Sequence, residues 1–149
     1  MAWKVPVLSQ RTPSVCWEAC ARMMWLWKYK NLSNYATKAG PYTTRNAGMT
    51  ETEMNHFYTL LGMRSLRDAK GMNLRHALKW TPVIFTDIRQ TEGHAMVLTG
   101  FDEGKYTVVN PCALQSIDFE TDTNVCAANT LSRPQPAVEE PLGSYIWYW

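Results

Sequence analysis

The sequence is short of most features that would assign it at a glance. Of its 149 residues, fifteen are basic and thirteen acidic, a net charge of +2, and no basic run stands out. Nothing here marks a nucleic-acid partner. No stretch approaches the roughly 18 apolar residues of a membrane span, and Arg11, Lys28 and Lys30 interrupt the richest ones. The start, Met-Ala-Trp-Lys-Val-Pro, has no apolar core of the kind a signal peptide carries, so action in the cytoplasm is expected, with delivery by a secretion system left open. There is no internal repeat and no low-complexity tract. Cysteine is sparse: Cys16, Cys20, Cys112 and Cys126. Cys112 and Cys126 lie 14 positions apart, unlike the close pairs of structural zinc sites, and nothing signals an oxidising compartment. Four reduced thiols, no metal and no cofactor are expected. A disulfide is the alternative.

What is present is apolar and aromatic. A hydrophobic share of 46% supports a sizeable core and excludes a disordered or fibrous chain. Seven Trp and seven Tyr bring N–H and O–H groups that need partners when buried. After a Pro-punctuated lead-in, Cys16 to Lys30 runs without Gly or Pro, with Trp17, Cys20, Met24 and Trp27 at helical spacing and Glu18 and Arg22 on another face. Ser14 is its expected N-cap. A loop through Gly48 follows. Thr50-Glu51-Thr52-Glu53 reads as a capping box opening a helix to about Leu61, and a short third helix is expected at about Asn73 to Lys79.

Beyond Trp80 the period changes. Pro82 to Ile88 and Gly93 to Phe101 read as strands, Asp102-Glu103-Gly104 as a hairpin turn, and Lys105 to Asn110 as the returning strand. Gln115 to Phe119 and Ser144 to Trp149 are further short strands, with 120–143 a long loop between them. The expectation is one α+β domain over 1–149, its helical half (about 1–80) packed on an antiparallel sheet (about 81–149), with a groove where the halves meet.

Cys16 stands where a helix N-terminus would stabilise its thiolate; Cys20, one turn further in, has lost most of that benefit. His94 begins an apolar strand. If its strand pairs with the next through the Asp102–Gly104 turn, Asn110 lies at the same end and can hold one imidazole nitrogen while the other faces a thiol. Gln10, six residues before Cys16, has an amide suited to an acyl oxyanion. Each residue also has an ordinary structural reading, and His56 and His76 read as surface residues.

Taken in order, Val5-Pro6-Val7-Leu8-Ser9-Gln10, Cys16-Trp17-Glu18-Ala19, Gly93 to Gly100 and Val109-Asn110-Pro111 resemble the papain-like cysteine peptidases, in their small bacterial branch of C39 and AvrRpt2-type enzymes. The resemblance covers about residues 5–111 and implies a papain-like fold, with Cys16 as nucleophile, His94 as base and acid, Asn110 as orienter and Gln10 as oxyanion donor. Asp is frequent at the third position of this branch, so Asn110 departs from it, with Asp102 the fallback. The resemblance further implies a protein substrate cut after Gly-Gly, an interbacterial effector or toxin role and a cognate immunity protein. The alternatives are a peptidoglycan amidase or deamidase using the same dyad, and an inactive binding module.

Overall fold

A computed structural model describes residues 2–12, 14–67, 71–88, 94–118 and 123–149, with the side chains of 112–118 and 123–127 set aside. The chain forms α1 (Cys16–Tyr29), α2 (Tyr35–Ala39), a 3-10 turn (Gly40–Thr44), α3 (Glu51–Leu60), β1 (Arg64–Arg67), α4 (Met72–Ala77), β2 (Val83–Asp87), β3 (His94–Asp102), β4 (Lys105–Asp118), β5 (Thr123–Pro134), α5 (Gln135–Glu139) and β6 (Tyr145–Tyr148). All strand pairs are antiparallel, in the order β1-β6-β2-β3-β4-β5. The expected α+β architecture is therefore present, with one refinement. β1, from the helical half of the sequence, pairs with the C-terminal β6 and stitches the halves together.

Alternation along the strands divides the core. Ile84, Ala95, Val97 and Val109 meet α1 and α3 on one face, around Trp17, Met24 and Phe57. Val83, Phe85, Met96, Leu98 and Val108 meet α4 and α5 on the other, around Leu74 and Val138. Covered on both faces, β2 is buried throughout, and its sequence is apolar or β-branched from Val83 to Thr86 before it ends at Asp87. Met54, Phe57 and Tyr58 make the buried face of α3. Three tryptophans satisfy their polar ends: Trp3 Nε1 donates to Leu78 O at 2.8 Å, Trp17 Nε1 to Ala47 O at 3.0 Å and Trp147 Nε1 to Asn55 Oδ1 at 2.7 Å. The β3–β4 turn has positive φ at Glu103 and Gly104, the handedness that matches strand twist in a two-residue hairpin.

Several sequence expectations are corrected. The residue before α1 is Val15, not Ser14, and no side chain caps that helix. Glu18, expected to share a helix face with Arg22, is buried, 3% exposed, and pairs with Arg11. Asn31 to Gly48 contains α2 and the 3-10 turn. The long loop expected over 120–143 contains β5 and α5, and Gln115 belongs to β4. Pro136 is tolerated because it falls in the first turn of α5, where an absent N–H costs no helical bond. Gly93, Phe119 and the side chains of Cys112 and Cys126 lie outside the described residues, and with them the question of a second-half disulfide. Among the described residues, no helix is long and apolar enough to cross a membrane.

Candidate active site

The start of α1 meets one end of the sheet at Cys16. The thiol is half-buried, and the Ala95 backbone N–H donates to its Sγ at 3.4 Å. That contact, between residues 79 apart in sequence, places the sulfur beside the residue that follows His94. His94 opens β3. The register Val97↔Val109 brings Asn110 within diagonal reach of the imidazole, and His94 Nε2 lies 2.6 Å from Asn110 Oδ1. An amide oxygen only accepts, so Nε2–H is the donor. In the neutral ring the basic lone pair is then on Nδ1.

Gln10 lies in the segment leading to α1, 7% exposed. Its backbone N–H donates to Pro111 O at 3.2 Å, which sets it beside the Asn110 strand. Its Nε2 donates to Thr12 O at 2.7 Å. One amide proton is thus held and the second N–H stays available to another acceptor, while Oε1 is buried without a hydrogen bond.

The electrostatics of Cys16 differ from expectation. A helix N-terminus was expected to hold the sulfur as an anion, whereas burial pushes the thiol up. The N–H groups of Ala95, Trp17 and Cys16 itself pull the other way, in that order, without reversing it. Cys20, fully enclosed one turn on, is pushed well up by the same desolvation. A base beside the sulfur therefore offsets what burial costs its anion.

The structure thus brings Cys16, His94, Asn110 and the Gln10 segment to one end of the sheet. It does not bring Asp102, which pairs with Lys105 at the hairpin turn, eight residues along β3 from His94. His56 and His76 are exposed on α3 and α4. Among the described residues no group of three His, Cys, Asp or Glu is placed to hold a metal ion. Two charged residues near the site were not among the expected site residues. Asp87, 7% exposed, stands directly across β2–β3 from His94. Glu18 follows Trp17 inside the apolar wall of α1. For Glu18 a signal existed: a carboxylate between Trp17 and Ala19, with Arg11 just upstream.

Helices packed on a six-stranded antiparallel sheet match the papain-like fold of cysteine peptidases. The family model described as papain-like cysteine protease AvrRpt2 matches residues 1–120, and the chain belongs to that family. Solved structures agree on the fold. A double glycine motif protease from an AMS/PCAT transporter, solved in complex with the leader peptide, is 16% identical with a TM-score of 0.63, covering 99% of this chain and 93% of that one. The peptidase domain of Streptococcus ComA, a bi-functional ABC transporter involved in quorum sensing, gives 0.64 at 11% identity over 97% and 96%. The corresponding domain of Streptococcus mutans ComA gives 0.57 at 11% over 95% and 95%. No curated protein matches at the level of sequence.

Proposed function

We propose that this cysteine protease hydrolyses peptide bonds through Cys16, His94 and Asn110, with Gln10 completing the oxyanion site. The observation that carries the reading is the pair of contacts Ala95 N–H to Cys16 Sγ and His94 Nε2–H to Asn110 Oδ1. As Cys16 attacks a substrate carbonyl, His94 Nδ1 takes the thiol proton, a step the raised thiol requires. The new oxyanion accepts hydrogen bonds from the Cys16 backbone N–H and the second Gln10 N–H. Collapse of the intermediate expels the amine, which takes its proton from His94. Water, deprotonated by His94, then releases the acid and restores the thiol. Asn110 holds the ring plane and the tautomer throughout.

The substrate is proposed to be a protein cut after Gly-Gly, in keeping with the double glycine protease among the structural neighbours. Cys16→Ala and His94→Ala should each abolish cleavage of a Gly-Gly-containing peptide while the far-ultraviolet spectrum is unchanged. Full turnover in either variant removes the assignment. An effector role in the cytoplasm, blocked by an immunity protein, is proposed from the resemblance of the quoted motifs. Mapping new protein N-termini in bacteria expressing the parent and Cys16→Ala tests that role and the cleavage rule together. Unchanged N-termini and growth would overturn it.

A further inference from the structure

An ion pair outside the chemistry above joins the oxyanion segment to the nucleophile's helix. Glu18 sits two residues beyond Cys16, its side chain only 4% exposed, and its Oε1 accepts from Arg11 Nε at 2.7 Å. Arg11 directly follows Gln10. Its Nη2 also donates to Arg45 O at 3.3 Å, and Thr12 Oγ1 donates to Asn46 Oδ1 at 2.5 Å. Residues 10–12 are thereby tied to α1 on one side and to the segment at 45–46 on the other. Burying a carboxylate carries a desolvation cost that an apolar residue at this position would avoid, so its presence calls for a use beyond packing. The nearer helical partner, Arg22 at i+4, does not take the charge, since its Nε is buried without a hydrogen bond.

We infer that Arg11 and Glu18 form a positioning pair for the oxyanion donor, holding Gln10 so that its second amide N–H meets the oxyanion formed on Cys16. The inference rests on the roles of Cys16 and Gln10 proposed above. An oxyanion donor works only within a few tenths of an ångström of its place, and Gln10 lies in a segment without regular structure. Glu18 and Cys16 share the first turns of one rigid helix. A tether from Glu18 to the residue after Gln10 therefore makes the donor follow the sulfur.

Two reagents separate this role from a structural one. Iodoacetamide alkylates Cys16 by direct displacement, with no oxyanion. The ketone of an acetyl-Gly-Gly chloromethyl ketone profits from the oxyanion site. Inactivation rates are compared at one pH, with the labelled residue mapped by mass spectrometry. Arg11→Gln and Glu18→Gln should each slow the chloromethyl ketone about tenfold, less than the 10²–10³-fold of a deleted donor, and leave iodoacetamide within about twofold. Arg11→Lys, which keeps the charge, should recover part of the loss. Adding Arg11→Gln to Gln10→Ala should cost nothing further. Arg11→Gln leaves the buried Glu18 carboxylate without its cation, so each variant is checked by circular dichroism. The double variant Arg11→Gln/Glu18→Gln, which removes both charges, should show the same selective loss if a single variant does not fold. An unchanged chloromethyl ketone rate in Arg11→Gln, or equal losses with both reagents, overturns the inference. If Gln10→Ala itself leaves the chloromethyl ketone rate unchanged, the reading of the site fails first and the inference with it.

Discussion

Two helix beginnings in this molecule are built in opposite ways. At α3, Thr50 Oγ1 accepts from the Glu53 N–H at 3.2 Å and the Glu53 carboxylate accepts from the Thr50 N–H at 3.2 Å, so donors at both ends of the box are satisfied by side chains. At α1 the residue before the helix is Val15, with no polar side chain to offer. The first donors of α1 remain for the sulfur of Cys16 and for charge that forms beside it. The capped start stabilises the fold. The uncapped start is available for chemistry, and Trp17 anchors it instead: its ring packs edge-on to Phe57 at 5.2 Å, its indole N–H is bound by Ala47 O, and its carbonyl accepts from Tyr58 Oη at 2.9 Å.

The contrast can be attacked from both ends. The largest effect is expected at Asn110: Asn110→Ala frees the imidazole to adopt the unproductive tautomer and should lower kcat by about 10²-fold with little change in KM, measured on a Gly-Gly peptide. Val15→Thr places a capping hydroxyl before α1 that competes for the Trp17 N–H. It should slow iodoacetamide alkylation of Cys16 by about threefold at neutral pH and move the alkylation midpoint further up. Thr50→Ala should do the reverse, costing about 1 kcal/mol in urea unfolding and leaving turnover as it was. A change in turnover from Thr50→Ala, or none in alkylation from Val15→Thr, would erase the distinction.

The smallest effect concerns pH. Cys16, Cys20 and Tyr58 are all pushed up by burial, so the folded protein holds these protons more tightly than the unfolded chain. Their contribution is complete below the ordinary thiol and phenol range and declines as pH rises through and beyond it. Thermal midpoints should therefore fall above about pH 9, less steeply in Cys20→Ala, when followed by circular dichroism across an alkaline series.

How much of this was legible in the sequence depended on how strong the local signal was. The Cys16 helix and the Thr50 capping box follow from periodicity and cap chemistry, and the Asp102–Gly104 turn from Gly104, which accepts positive φ. β1 was not legible: Arg64-Ser65-Leu66-Arg67 has a single apolar residue, and it is a strand because β6 lies beside it. β5 and α5 were hidden by Pro134, Pro136 and low apolar content, since pairing with β4 supplies what local propensity does not. At the site, residue types and order singled out Cys16, His94, Asn110 and Gln10 as candidates, and the fold gathers these four at one end of the sheet. The sign of the thiol shift was not legible, because burial is a property of the packed chain. Nor was the Arg11–Glu18 pair, because Arg22 offered a closer partner in sequence.

The central claim, that Cys16 carries the acyl group, is tested most directly by intact-mass spectrometry of the protein quenched during turnover of acetyl-Gly-Gly p-nitrophenyl ester. The account predicts a transient acetyl-Gly-Gly adduct that maps to the peptide containing Cys16, decays with product release, and never forms in Cys16→Ala. An adduct on another residue, or ester turnover that persists in Cys16→Ala, would contradict it.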